Sequence, residues 1–221
     1  MKLLEALKKA KTKPWALPAA CYLLAAAAWL ALGGVHAAAD AVAKADGSLA
    51  TRELSVGDFK LADLTAAATA EDGATVLTTT SNDPQMILED VSGQTVRTLQ
   101  MTADYEGTVR EMCLYYTTAA GQAYSQDRRV FPTQQADGSY LYTLPRGRFV
   151  ALRLDPCSPE ENKTVTITVH RLLLNRPVGP ASYFVPSWYQ AFCLILYPGL
   201  AAALLSWLAS FACWLRGKKK T

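Results

Sequence analysis

The chain has 221 residues, of which 51% are hydrophobic, and its 22 basic and 19 acidic side chains give a formal net charge of +3. The basic side chains are concentrated near the two ends, which leaves the middle of the chain acidic. An acidic domain lacks the basic face that nucleic-acid binding requires, so nucleic acid is not expected among its partners.

The first element in chain order is an apolar segment at residues 15–39, preceded by a basic tail at residues 1–14. At about 1.5 Å per helical residue, this segment is long enough to cross a hydrocarbon core of about 30 Å. Val35-His36-Ala37 resembles a signal-peptidase site, so cleavage after Ala37 is the alternative to an uncut transmembrane helix. A small, polar and flexible linker is expected at residues 40–50.

Residues 51–174 predict a domain built of strands, because short stretches of alternating polarity recur there with turn signals between them. The predicted strands are 59–61, 76–80, 86–88, 95–101, 109–118, 140–144, 149–154 and 164–174. Their apolar and polar rows indicate sheets covered on one side. The predicted fold class is an all-β exterior domain, a jelly-roll-like two-layer antiparallel β-sandwich flanked by two transmembrane α-helices. Residues 61–70 are alanine-rich, so a short helix is an alternative there.

The chain after the sandwich predicts a proline-rich stalk at residues 175–186, a second transmembrane helix at 187–215 and a basic tail at 216–221. Lysine and arginine flank both spans on their outer ends in the sequence. The positive-inside rule therefore places both termini in the cytoplasm and the β-domain on the exterior face of the cytoplasmic membrane. The lipid bilayer is thus one expected partner. The spans contain no Asp, Glu, Lys or Arg, the residues that usually mark transport pathways.

The cysteines of the exterior domain are Cys113 and Cys157. An oxidising exterior would permit a disulfide between them, and two free thiols are the alternative. Neither the cysteine spacing nor the two histidines suggest a zinc site. No metal and no cofactor is predicted.

The candidate ligand-binding residues are Tyr115, Tyr124, Tyr140, Arg153 and Asp155. The tyrosine rings offer faces on which a sugar can stack, and Arg153 or Arg110 can bond its hydroxyls. The alternative is that tyrosine is simply favoured in strands.

Two further features have competing interpretations. Asp83 and Asp155 each precede a proline, which is typical of a turn at a strand end, and calcium ligation by the two carboxylates is the alternative. The pair Arg128-Arg129 predicts a solvated turn rather than an anion site.

No catalytic residues are predicted, because no nucleophile in the sequence is accompanied by a base and an orienting group. No glycine-rich phosphate loop joins a strand to a helix either. The chain is therefore not expected to be an enzyme.

Four short motifs carry a resemblance: SNDPQMI at 81–87, YLYTLP at 140–145, LRLDP at 152–156 and VTITV at 165–169. Together they resemble a β-sandwich module of bacterial membrane proteins linked to cell-surface polysaccharide and glycosyl transfer, over residues 58–175. In such proteins the sandwich accompanies a separate catalytic or many-helix membrane part. The resemblance thus implies a noncatalytic exterior module.

The resulting hypothesis is a membrane-anchored β-sandwich that serves as a binding or accessory module in bacterial cell-envelope glycan assembly, with a cell-surface glycan as its partner. The alternative is a structural or accessory subunit of a larger membrane enzyme or transporter. The first predicts an aromatic groove on the sandwich. The second predicts an apolar surface committed to a membrane-protein partner.

Overall fold

The structure is a computed structural model that describes residues 15–67 and 73–218, with side chains described as far as residue 215. The predicted basic tail at 1–14 lies outside the described residues, as do the side chains of the tail at 216–221. The chain forms two compact units. One takes the chain up to Ala39 and from Val178 onward, and the other is Asp40–Pro177.

Two helices are long and apolar enough to cross a membrane. They are α1 (Ala16–Ala45) and α2 (Trp188–Lys218), and Pro198 lies inside α2. Helix α1 continues past the predicted end at residue 39, so residues 40–45 are not the flexible linker that the sequence indicated. The reason is local, because this stretch is rich in alanine, the strongest helix former.

Within the helical unit, α1 contacts α2 and the segment that precedes α2. The Tyr22 hydroxyl donates to the carbonyl oxygen of Ile195 over 2.9 Å, and Trp29 Nε1 donates to the carbonyl oxygen of Phe184 over 3.1 Å. Gly33 lies against the Phe184 ring so closely that an added Cβ would be 2.7 Å from Cδ1. Glycine is therefore required at position 33 for this approach.

The second unit contains twelve strands among the described residues. The first six are β1 (Arg52–Leu54), β2 (Lys60–Ala62), β3 (Leu64–Ala66), β4 (Thr75–Thr79), β5 (Gln85–Leu88) and β6 (Thr98–Glu106). The other six are β7 (Cys113–Thr117), β8 (Arg129–Val130), β9 (Pro132–Gln134), β10 (Tyr140–Thr143), β11 (Ala151–Asp155) and β12 (Thr166–Leu174).

These strands form two antiparallel sheets. In the part of the chain that the structure describes, the larger sheet has the order β3-β4-β12-β6-β10-β9, and β1 also pairs with β12. The smaller sheet has the order β2-β5-β11-β7-β8. The predicted two-layer antiparallel sandwich with two apolar terminal helices is therefore confirmed. The 61–66 part of the proposed short helix is strand instead, since β2 and β3 occupy it.

The core lies between the two sheets, where alternate residues of each strand point inward. From the larger sheet, Leu77, Leu99, Met101, Tyr142 and Ile167 are fully buried. From the smaller sheet, Met86, Leu114 and Leu154 are fully buried as well. Full burial of one such side chain contributes about 1.5–3 kcal/mol. Because these residues point inward, their neighbours along the strands of the smaller sheet point outward.

Strand β12 contains a bulge between Val169 and Arg171, where the register with β6 shifts by one residue. Val169 lies opposite Ala103, whereas Leu172 lies opposite Met101. The extra residue leaves both His170 and Arg171 exposed, while Val169 and Leu172 are both buried. The bulge thus keeps both halves of the strand in contact with the core.

Candidate functional site

The outward face of the smaller sheet carries three of the five candidate residues, which are Tyr115, Arg153 and Asp155. Leu114, Leu152 and Leu154 point into the core, so their strand neighbours point away from it. In the antiparallel register of β7 and β11, Tyr115 lies opposite Arg153, and Cys113 lies opposite Asp155. On the other side of β7, Arg129 of β8 also lies opposite Tyr115.

A cavity of about 380 Å³ lies over this face. Its floor comes from β7 and β11, and its walls come from the turn before β5, the loop between β7 and β8, and the chain after β11. The lining includes the acids Asp83, Glu111 and Asp155, the basic residues Arg129 and Arg153, and the rings of Tyr115 and Tyr124. Amide and hydroxyl groups complete it, from Asn82, Ser125, Gln126 and Ser158.

Arg153 is the centre of this cavity. Its Nε lies 2.7 Å from Asp155 Oδ1, and its Nη2 lies 2.7 Å from both Asp155 Oδ2 and Asp83 Oδ1. Its guanidinium carbon is 5.1 Å from the ring centroid of Tyr115 and 5.9 Å from that of Tyr124. The two rings themselves meet edge to face at 6.4 Å. Two carboxylates and two rings thus hold one guanidinium in a fixed position.

The acid–base state of the cavity follows from its burial. Burial raises the pKa of Asp155, and the hydrogen bonds and charge of Arg153 offset part of that effect. Burial also raises the pKa of Tyr115 and of Tyr124. Both phenols therefore stay protonated at neutral pH and can donate a hydrogen bond to a ligand.

A second ion pair lies at the β8 side of the cavity. Arg129 Nη1 is 2.6 Å from Glu111 Oε1, and the guanidinium of Arg129 also lies 4.8 Å from the ring centroid of Phe131. Arg129 is thus a wall of the cavity rather than part of a solvated turn, which corrects the interpretation from the sequence. Arg129 lies in β8, which pairs with β7, and is therefore part of the sheet.

The alternative of calcium ligation at Asp83 and Asp155 is not supported by their surroundings. Both carboxylates already face the guanidinium of Arg153, which occupies the position where a cation would neutralise them. Among residues 15–67 and 73–218, no group of three or more His, Cys, Asp or Glu side chains is arranged to hold a metal ion. The turn at Asp83 is closed by Ser81, whose Oγ accepts a hydrogen bond from the Asp83 backbone N–H over 3.1 Å, while the Asp83 carboxylate accepts from Gln85 and Arg153.

Tyr140 and Arg110 are placed elsewhere. Tyr140 belongs to β10 in the larger sheet, and its ring packs edge to face on Tyr105 at 5.9 Å. Arg110 is exposed and does not line the cavity. The structure therefore brings together Tyr115, Tyr124, Arg153 and Asp155, and leaves Tyr140 outside that group.

The cavity also contains residues that the sequence did not point to, among them Glu111, Asn82 and Ser158. No local pattern marks them as ligand residues. Each lies in a connection next to a strand of the smaller sheet, so its place at the cavity follows from how those strands pair.

Two thiols lie beside the cavity. Cys113 and Cys157 are buried, and both are free thiols. The Cys113 thiol lies 3.9 Å from Asp155 Oδ2. Burial raises the pKa of Cys113 to about 11 and that of Cys157 to about 12. Both are therefore protonated at neutral pH and unsuited to act as nucleophiles.

No protein-family description matches the sequence. No curated protein matches it either. Among solved structures, the low-affinity xylan-binding module CBM86 from Roseburia intestinalis is 14% identical, with a TM-score of 0.36, over 57% of this chain and 94% of the module.

Two further structures show likeness of the same extent. CsCBM6-3 from Clostridium stercorarium, solved in complex with cellobiose, is 10% identical with a TM-score of 0.37, over 57% of this chain and 94% of its own. The K2 cleaved adhesin domain of Lys-gingipain is 11% identical with a TM-score of 0.40, over 58% of this chain and 99% of its own. At these values the likeness carries no inference about a ligand, which has to come from the cavity itself.

Proposed function

We propose that the β-sandwich is a noncatalytic glycan-binding module, held by two helices at the exterior face of a bacterial cytoplasmic membrane, where it serves cell-envelope glycan assembly. One observation carries the proposal: Tyr115, Tyr124, Arg153 and Asp155 converge in a single polar cavity. The exterior location rests on the lysines and arginines that flank the two spans in the sequence.

The chemistry of the lining favours a ligand rich in hydroxyl groups. Each sugar hydroxyl both donates and accepts a hydrogen bond, so its site needs acceptors and donors side by side. Carboxylates supply the acceptors, and guanidinium, phenol and amide groups supply the donors. The volume of about 380 Å³ falls within the range of about 300–1,000 Å³ typical of small-molecule sites.

The cavity is also held in place before any ligand arrives. Arg153 is fixed by Asp83, Asp155 and the two tyrosine rings. Binding therefore does not have to immobilise this long side chain, which otherwise costs about 0.5–1.5 kcal/mol. A preformed set of hydrogen-bonding groups over a strand floor is suited to recognition.

The direct test is a glycan array probed with the full chain in lipid nanodiscs. Arg153→Lys keeps the charge but removes the planar fork that contacts both carboxylates, so affinity should fall at least tenfold. The matched control is Arg171→Lys. Arg171 lies on β12, away from the cavity, and forms an exposed ion pair with Glu53 of β1. Failure of the unmodified chain to bind any glycan, or equal binding by the two variants, would count against the proposal.

A second pair of variants tests the tyrosines. Tyr124→Phe removes one phenol from the cavity and should weaken binding by about fivefold, the value of one neutral hydrogen bond of about 1 kcal/mol. Tyr140→Phe removes the same group from the larger sheet and should leave binding unchanged. Weaker binding by Tyr140→Phe would show that Tyr140 contributes to the binding site.

The alternative function, an accessory subunit of a larger membrane protein, is favoured by one observation. Within the helical unit, an apolar groove of about 740 Å³ lies between the two helices, with Leu24, Leu32 and Leu194 among its walls. Purification of the full chain from its native membrane in mild detergent tests this. A stoichiometric membrane-protein partner would support the alternative, and recovery of the chain alone would oppose it.

A further inference from the structure

A second polar cavity, of about 450 Å³, lies on the sandwich. One wall is the end of β4 and the turn that follows it, residues 79–82, and the other wall is the turn before β12, residues 160–164. This cavity contains no tyrosine and no arginine among its lining residues. The function proposed above does not use it.

The two cavities share their walls. Asn82 lines both of them. The segment that includes Asn82 also gives Asp83 to the first cavity and Thr80 to the second. On the opposite side, the chain after β11 gives Ser158 to the first cavity and residues 160–164 to the second. The same two chain segments therefore border both cavities, which places the cavities side by side.

Both walls of the second cavity are held by hydrogen bonds. Thr79 N–H donates to the carbonyl oxygen of Val165 over 3.0 Å, and Val165 N–H donates to Thr79 Oγ1 over 2.9 Å. Lys163 N–H closes the turn by donating to the carbonyl oxygen of Glu160 over 3.0 Å. The second cavity is thus preformed like the first one.

The lining of the second cavity disfavours anionic groups and offers hydrogen bonds to hydroxyl groups. Hydroxyls and amides come from Thr80, Ser81, Asn82 and Asn162. Glu160 is paired with Lys163, which leaves the carboxylate of Glu161 as the uncompensated charge of the lining. A carboxylate repels an anionic ligand group, and it accepts hydrogen bonds from hydroxyls.

We propose that the ligand of the sandwich is a linear oligosaccharide without anionic groups, long enough to occupy both cavities. This inference rests on the proposed glycan-binding function and names its substrate class. Each cavity alone is at the small end of the range for ligand sites, about 300–1,000 Å³, whereas two adjacent cavities together offer room for a longer chain. The first cavity binds one part of the glycan through Arg153, and the second binds the continuing units through hydroxyl and amide groups.

The test measures affinity against chain length, with the full chain in nanodiscs. The probes are linear glucan, xylan and mannan oligosaccharides from disaccharide to hexasaccharide, with oligogalacturonides of the same lengths as anionic counterparts. Affinity for the best neutral series should rise at least tenfold from disaccharide to hexasaccharide. The oligogalacturonides should bind more weakly than the neutral series at every length.

Two variants address the second cavity alone. Thr80→Trp fills it and should abolish the gain with length, while disaccharide affinity stays unchanged. Thr133→Trp is its control, since Thr133 is exposed on β9 and lines neither cavity. Asn162→Gly removes an amide and preserves the backbone, because Asn162 has φ of 60°. It should weaken hexasaccharide binding by about fivefold, the value of one hydrogen bond.

The outcomes separate the two proposals. Binding that does not change with length, a Thr80→Trp variant that behaves like the unmodified chain, or stronger binding of oligogalacturonides would overturn the two-cavity ligand and leave the glycan-binding function standing. Absence of binding to every glycan would overturn both.

Discussion

Asp40 and Arg146 form a two-pronged ion pair, with Nη1 2.8 Å from Oδ1 and Nη2 2.7 Å from Oδ2. Arg97 Nε adds a third contact to Oδ1, at 3.2 Å. The Asp40 side chain is only 4% exposed, whereas those of Arg97 and Arg146 are 22% and 30% exposed. One buried carboxylate is thus the shared ion-pair partner of two guanidinium groups within the sandwich unit.

Replacing that carboxylate should destabilise the unit. Asp40→Ala leaves two partly buried guanidinium groups without their counter-charge, so the free energy of unfolding should fall by about 3 kcal/mol, the lower end for a broken buried pair. Arg52→Ala is the control, because its ion pair with Asp58 is at the surface and should cost about 1 kcal/mol or less. Hydrogen exchange of sandwich peptides measures both. Equal losses in the two variants would contradict this prediction.

Asn175 should be sensitive to substitution for two separable reasons. Its φ of 55° is left-handed, and its buried side chain accepts from Arg97 N–H and donates to the carbonyl oxygens of Ala50 and Thr95. Asn175→Gly relieves the backbone constraint but leaves those groups unpaired, whereas Asn175→Ala adds strain of about 1 kcal/mol or more. We expect the glycine variant to be less stable than the unmodified chain and the alanine variant to be less stable again.

The same hydrogen-exchange measurement ranks them, and Asn162 supplies the comparison. Asn162 has φ of 60° and is exposed. Asn162→Ala should therefore show the strain without the loss of buried hydrogen bonds. A larger loss at Asn162 than at Asn175 would be inconsistent with this account.

Removing the hydroxyl group of Tyr142 and removing that of Tyr105 should have different effects on stability. Tyr142 is fully buried, and its hydroxyl has no hydrogen-bond partner among the described residues. Tyr105 donates to the carbonyl oxygen of Pro156 over 3.0 Å. Tyr142→Phe should leave stability unchanged or raise it, whereas Tyr105→Phe should lower it by about 1 kcal/mol. Thermal unfolding of the two variants compares them. A large loss in Tyr142→Phe would show that its hydroxyl is satisfied.

The thiols of Cys113 and Cys157 should react slowly with alkylating reagents in the native protein. Both are buried, and burial raises their pKa values to about 11 and about 12, so little thiolate exists at neutral pH. Labelling with N-ethylmaleimide, read by mass spectrometry of digested peptides, should be complete only after denaturation. Rapid native labelling of either residue would contradict the burial, and a peptide pair joined through sulfur would show the disulfide instead.

Acid should destabilise the sandwich in part through Asp58. A hydrogen bond from the Ser55 backbone N–H to this carboxylate, with further contributions from the Ser55 hydroxyl and Arg52, lowers the pKa of Asp58. A group with a lowered folded pKa stabilises the native state above its unfolded pKa of about 3.9, and this stabilisation is lost as pH falls through the folded value.

The variant Asp58→Asn isolates this effect. It should be less stable than the unmodified chain at pH 7, and the two should converge as pH falls below about 4. Urea unfolding followed over a pH series gives the comparison. A difference in stability that is the same at every pH would show that Asp58 acts through its shape and not through its charge.

The architecture could be predicted from the sequence because alternation is a local property. Each predicted strand overlaps an observed one, as at 164–174, where β12 is Thr166–Leu174. The strands Arg52–Leu54, Leu64–Ala66, Arg129–Val130 and Pro132–Gln134 were not predicted. They have only two or three residues each, which is too short to show a period.

The candidate site could be predicted only in part, because it depends on strand register. Tyr115 and Arg153 are 38 positions apart in sequence and meet because β7 and β11 pair with that alignment. Tyr140, like Tyr115, lies on a strand that the sequence predicts, yet its strand belongs to the other sheet. Nothing near a residue in the sequence specifies which sheet receives its strand, since long-range pairing decides it.

The bulge at Val169–Arg171 makes β12 tolerant of the loss of a residue in one place. Removing His170 would place Ile167, Val169, Leu172 and Leu174 in strict alternation, so both halves of the strand would keep their buried faces without a bulge. A deletion outside the bulge would instead turn part of β12 over against its neighbours β1, β4 and β6. The bulge is therefore a place where this domain can lose a residue and keep its core.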